Sequence, residues 1–305
     1  MKALNDLVRA LAVLFVPFAL SSCAPFNYTA QDAPKALAQI ERMTPEPDIA
    51  LVLGAGGPRG YAHIGVMRVL EESGVDVDLI VGTSVGSLIG VFWGSGMSAA
   101  EIDELSMTGG PLTVFDPSPF ADRGWIIGQR LQNYVNQSLG ETDLAALPRR
   151  VIVAATRRED KAPTYFAAGN SGVAVRASSA MPNIISPVGI QGVEYEDGDV
   201  SLPLAVEAAR AAGARFVIAV NVYPRLESVP NDASDHARAQ AERRQKLIDP
   251  QVAMADFLIH ANTPFQASPR RAFFVEAREI GEREARAQLP ALLASLAQHR
   301  GEIRP

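Results

Sequence analysis

The sequence is almost devoid of cysteine. Its 305 residues hold one, Cys23, which excludes an intrachain disulfide and a four-cysteine zinc site. Histidine is nearly as sparse. His63, His236, His260 and His299 stand far apart, and no two have the spacing that puts metal ligands on one helix face. Neither a metal nor an organic cofactor is expected. Positive charge is also in short supply: 28 Lys and Arg stand against 34 Asp and Glu, a net charge of −6. A nucleic-acid partner is not expected, because such binding draws its affinity from clustered cations. Internal repeats and low-complexity tracts are missing too. What remains is ordinary for a globular chain, 48% hydrophobic and 20% charged, and can bury a sizeable core.

The N-terminus has its own character. Lys2 and Arg9 precede an apolar, charge-free run over residues 11–20, too short to span a bilayer comfortably. This is the architecture of a signal peptide, and it is set aside from the fold. Leu20-Ser21-Ser22-Cys23 resembles a bacterial lipobox, in which the cysteine receives a lipid and becomes the first mature residue. The resemblance implies a membrane anchor at Cys23. Ala24 after the cysteine, rather than Asp, favours the outer membrane, facing the periplasm. A plain secretory signal cut between residues 19 and 24 is the alternative. The expected domains are residues 1–22 (lipoprotein signal), 23–47 (a tether with a short helix over 34–42) and 48–305 (a single folded domain).

Two glycine-rich turns follow in quick succession. Ile49 to Leu53 reads as a buried strand and ends in Gly54-Ala55-Gly56-Gly57-Pro58-Arg59-Gly60, after which a helical pattern runs to about Glu72. A dinucleotide fingerprint fails here by one residue, at Arg59, and the lysine of a P-loop is missing. Two readings remain. One is a structural strand-to-helix turn. The other is an oxyanion hole, in which glycines let successive N–H groups point into one concavity at the positive end of a helix. A second strand, Leu79 to Val81, runs into Gly82-Thr83-Ser84-Val85-Gly86. This matches G-x-S-x-G, and the apolar residues before it and helix-forming residues after it are the setting of a nucleophile elbow.

Together these motifs resemble the patatin-like phospholipase family, whose members carry G-G-x-R-G and then G-x-S-x-G. Ala62-His63-Ile64-Gly65-Val66 and the segment Ala177-Ser178-Ser179-Ala180-Met181-Pro182 add to the resemblance, which runs from about Ile49 to Leu296. It implies an α/β three-layer sandwich with a mainly parallel central sheet. It also implies a Ser–Asp dyad, with Ser84 as nucleophile and Asp197, followed by Gly198, as its base. Gly56, Gly57, Arg59 and Gly60 would form the oxyanion hole; Pro58 has no N–H to offer. The substrate would be a lipid ester. There are departures from the family pattern: Asp199 stands where a small residue is usual, and Leu202 stands where Asn is usual. A second carboxylate can raise the pKa of Asp197 by like-charge repulsion, or it can point to solvent.

The remaining expectations are plainer. His63 reads as a packed or surface residue. Residues 109–124 form an irregular loop, a flap at the site or a surface loop, and 125–139 form an amphipathic helix. Strands are expected over 151–156, 164–167, 190–195, 216–222 and 257–260. Helices are expected over 203–212, 235–247 (charged and solvated) and 276–296 (interrupted at Pro290). Two rivals compete with the dyad: an α/β-hydrolase triad using His236 or His260, and a non-catalytic envelope lipoprotein. Acyl transfer to an alcohol or amine is a third outcome. Oligomeric state has no signal in the sequence.

Overall fold

The computed structural model describes residues 27–302 apart from Gly110. The signal segment and the lipobox with Cys23 lie outside the described residues.

A sheet in the order β1-β7-β8-β5-β4-β3-β9-β10 forms the middle layer. Its heart is five parallel strands: β3 (Ile49–Leu53), β4 (Leu79–Thr83), β5 (Arg150–Arg157), β9 (Phe216–Asn221) and β10 (Phe257–His260). Every residue of β3, β4 and β9 is buried. That explains their near-continuous apolar sequences, since a parallel strand is covered on both faces. β7 (Val188–Ile190) and β8 (Val193–Glu196) form a hairpin, so the single strand expected over 190–195 is two, divided at Gln191 and Gly192, both with positive φ. β6 (Pro163–Phe166) runs antiparallel to β5.

Helices cover both faces. On one lie α1 (Tyr61–Glu72), α2 (Val85–Gly94), α3 (Ala99–Met107), α4 (Gln129–Leu139) and α5 (Ser171–Ser178), with the long α8 (Arg271–Glu302). On the other lie α6 (Val206–Ala211) and α7 (Asp235–Val252). The mixed α/β fold with its mostly parallel central sheet is therefore the one expected. Ser98 caps α3 in a reciprocal box with Glu101. α8 lies along α1 at close range: a Cβ on Gly65 would sit 2.1 Å from Arg278 O, and one on Gly281 2.0 Å from Ala62 O.

Three expectations need correction. Residues 34–42 form no helix; β1 (Asn27–Tyr28) pairs with β7 and β2 (Ala36–Leu37) pairs with β6, so the expected tether is bound to the sheet. Sheet edges offer unpaired backbone groups, and these outweigh a weak local helical pattern. Residues 125–128 are not helical, because Trp125 and Ile126 bond to Ile184 and α4 begins at Gln129. Pro290 does not break α8. Leu292 and Leu296 anchor the helix beyond it to the core, and Pro290 itself is exposed, where water can satisfy the carbonyl that loses its donor.

Candidate active site

Strand register brings the two key residues together. β6 holds one edge of β5. β4 holds the opposite edge as far as the Thr83–Ala154 pair, and β8 takes up that same edge from the Thr156–Glu196 pair, running in the opposite direction. β4 and β8 therefore point at each other across the level of Ala155. Ser84 follows the end of one, and Asp197 follows the end of the other. Ser84 Oγ donates to Asp197 Oδ2 at 2.8 Å, and both residues are buried.

Ser84 sits at φ 55°, ψ −124°, a strained conformation for a residue other than glycine and the mark of a nucleophile elbow. Two neighbours make the turn possible. A Cβ on Gly86 would lie 2.1 Å from Leu53 O, so only glycine lets α2 start this close to β3. Ser178, at the end of α5, accepts the Ser84 N–H at 2.7 Å and donates to Ala154 O at 2.6 Å. The same short stretch holds the other partner, for the Asp197 N–H donates to Ala180 O at 3.0 Å. The small residues of the 177–182 segment thus join both halves of the site.

Asp197 is fixed from several sides. Its Oδ1 accepts the N–H of Asp199 at 2.8 Å, and its carbonyl accepts from Thr156 Oγ1 at 2.9 Å. Gly198 permits the turn, since a Cβ there would lie 2.6 Å from Ala154 O. Burial, and then the negative charge of Asp199, push the Asp197 carboxyl up to about 7. Asp199 does not point to solvent. It accepts from Tyr223 Oη at 3.0 Å and pairs with Arg244 of α7 at 2.8 Å, while the Arg244 guanidinium stacks 4.0 Å from the centre of the Tyr223 ring. The sequence reading missed Arg244, on a helix taken as solvated throughout.

The glycine turn closes the site from the other side. Gly57 has φ 55°, and residues 57–60 form a single 3-10 turn. Among the described residues, no hydrogen-bond partner takes the N–H of Gly56 or of Gly57. The Arg59 N–H, expected among the oxyanion donors, instead donates to Gly56 O at 3.2 Å within the turn. The Arg59 side chain binds Pro264 O at 3.2 Å and also Phe265 O. Gly60 lies at the far end of the turn, packed against Val85. A cavity of about 850 Å3 opens onto this centre, lined by Gly56, Gly57, Ser84, Asp197 and the inner face of α7.

The histidines fall elsewhere. His63 is fully buried, and its Nε2 lies 2.8 Å from Gly54 O, which makes that nitrogen the donor. Burial lowers its pKa to about 4, so it is neutral and ties α1 to the glycine turn. His260 contacts Asn221 on the neighbouring strand, and His236 is exposed at the cavity rim. Neither bonds to Ser84.

Comparison with known proteins agrees with this architecture. A family model described as patatin-like phospholipase matches residues 51–210, more than half of the chain. The chain is 30% identical over 224 residues to an uncharacterized NTE family protein of Mycobacterium bovis, covering 70% of this chain and 61% of that one. It is 28% identical over 208 residues to the lysophospholipase NTE1 of Scheffersomyces stipitis, covering 65% of this chain and 13% of that protein. The chain thus spans less than two thirds of the length of these curated relatives. Among solved structures, VipD from Legionella pneumophila has a similar fold, with a TM-score of 0.52 at 11% identity, covering 92% of this chain and 73% of that one. The chain belongs to the patatin-like phospholipase family.

Proposed function

We propose that the protein is a serine acyl hydrolase acting on lipid esters, such as phospholipids or lysophospholipids, through a Ser84–Asp197 dyad. The observation that carries this reading is the 2.8 Å bond from Ser84 Oγ to Asp197 Oδ2 at a strained elbow. A serine hydroxyl needs a base to attack an ester, and no histidine bonds to it. Asp197 takes the hydroxyl proton as Oγ attacks the ester carbonyl. The resulting oxyanion faces the free N–H groups of Gly56 and Gly57, which stabilise it without reorganising. Collapse of the intermediate releases the alcohol, which leaves with the proton from Asp197. Water then attacks the acyl-enzyme with Asp197 again as base. A carboxyl poised near 7 suits a group that must accept and return a proton near neutral pH. The fungal relative's description as a lysophospholipase supports the substrate class.

The test is labelling with a fluorophosphonate probe, followed by lysophospholipid hydrolysis. Wild type labels at Ser84 and releases fatty acid; Ser84→Ala does neither. Intact wild type that fails to label removes the reading and favours a binding lipoprotein. The reading extends to the N-terminus. Cys23 carries a lipid that holds the enzyme on the envelope membrane, with Ala24 directing it to the outer one. Labelled palmitate enters wild type and not Cys23→Ser if this is right.

A further inference from the structure

The chain has two tryptophans, in very different places. Trp93 is 2% exposed, whereas Trp125 is 55% exposed. Phe120, 89% exposed, is the most exposed large apolar side chain among the described residues. Both belong to one hairpin. Pro117 bridges Ile126, and the Ser118 N–H donates to Trp125 O at 2.9 Å, which leaves Phe120 at the tip. The hairpin is firmly held: Arg123 in its far limb is paired with both Asp122 and Glu194, and Asp116 at its base accepts the N–H groups of Gly128 and Arg130. Such a loop displays two aromatic rings to water at a lasting cost, unless something covers them.

Two observations say what covers them. First, the N–H groups of Trp125 and Ile126 both donate to Ile184 O at 3.0 Å, and Ile184 and Met181 line the Ser84 cavity. The apolar hairpin is therefore stitched to the wall of the cavity. Second, Ile126 also bridges Ile185, on the extended stretch that continues into β7. β1 leaves the described fold at Asn27, which pairs with Gly189 of that strand. The chain before Asn27, with its apolar run and Cys23, thus departs from the same strip that carries the hairpin. Among the described residues no helix is long and apolar enough to cross a membrane.

We infer that hairpin 117–126 docks on a lipid bilayer, setting Phe120 and Trp125 at the boundary of headgroups and acyl chains beside the mouth of the cavity. The inference takes its purpose from the lipid-ester reading, but docking itself needs no turnover. Arg123 is neutralised by its carboxylates and the net charge is −6, so the contact is apolar and needs no anionic lipid.

The experiment uses the full chain with phosphatidylcholine vesicles, plain or carrying brominated acyl chains. Trp125 emission moves to shorter wavelength, and brominated lipid quenches it about twofold or more, as for a ring at the headgroup–acyl boundary. Trp125→Phe, in which Trp93 alone emits, loses the response. Phe120→Asp reduces the quenching by about threefold or more and lowers hydrolysis of vesicle lipid by about fivefold, because it charges the inserted tip. Its hydrolysis of a water-soluble short-chain ester stays unchanged. The fluorescence results recur in Ser84→Ala. Unquenched Trp125 in wild type overturns the docking, whatever the hydrolysis shows. A shift that appears without vesicles and grows with protein concentration assigns the hairpin to a second copy, and also overturns it. A wild type that docks yet fails to label at Ser84 overturns the hydrolase reading and upholds the docking.

Discussion

The two sides of the site are built by different physics. The serine side is made by steric fit. Ser84 takes its strained conformation because Gly86 lets α2 begin against Leu53 and because Ser178 catches the Ser84 N–H. The acid side also needs a glycine, Gly198, but its tuning is done by charge. Asp197 is buried beside Asp199, and Asp199 is balanced by Arg244 from a helix far along the chain. A steric device is all or nothing, since a methyl group in the wrong place has nowhere to go. An electrostatic device is graded, and its setting moves with each charge removed.

That contrast orders the expected effects of mutation. Gly86→Ala is the severest. Its Cβ would press against backbone at 2.1 Å, costing several kcal/mol, roughly 4 or more; thermal unfolding reads it as loss of the folded protein. Ser178→Ala comes next. It frees the Ser84 N–H while leaving the cavity intact, and kcat falls about 10- to 100-fold with KM little changed. If kcat holds, the elbow does not need this support.

The charged side shifts by degrees. On the proposed mechanism Asp197 acts as base in its ionised form, so kcat/KM is expected to rise with pH through about 7. Asp199→Asn removes the charge that raises this pKa, and the rise moves to lower pH by about one unit. Arg244→Ala removes a charge that lowers it, and the rise moves up by a similar amount. Both variants lose the tie to α7, so any common loss of rate reports that tie. Opposite displacement of the two profiles is the electrostatic signature, and displacement in the same direction would refute it.

The smallest effect is on stability. The Asp197 carboxyl is raised in the folded protein, so its ionised form opposes folding. That penalty is missing below the unfolded value near 4 and complete above about 7. Asp197→Asn therefore gains in Tm relative to wild type between pH 4 and pH 8, by a few degrees. A constant difference across that range would mean that the carboxylate is not penalised.

The same division explains what the sequence disclosed. The steric side is written in neighbouring residues: Gly82 to Gly86 and Gly54 to Gly60 announce turns that few other residues could make. The turn at Ser84 and the parallel core strands were legible for that reason, whereas Asp197 was singled out only by the resemblance of Asp197-Gly198 to the family motif. The electrostatic side depends on which way a charged residue faces. Residues 235–247 read as a solvated helix because Arg244 is one charge among many, and nothing in its spacing marks it as the one that meets Asp199. The doubt over Asp199 had the same origin. Residues 34–42 misled for another reason, since their local helical pattern lost to backbone bonds offered by a sheet edge, which only the assembled fold displays.

The order of strands also sets when the site can exist. β3 gains β4 early, but its other flank waits for β9, and α1, which follows the glycine turn, packs closely against α8, the last helix described. Contacts so distant in sequence form slowly, because closing the long loop precedes any gain from the contact. A chain halted before residue 271 would contain Ser84, Asp197 and every glycine of both turns, yet the face of α1 that meets α8 at Ala62 and Gly65 would lie bare. The motifs of the site and the helix that supports them are thus far apart in sequence and inseparable in the fold.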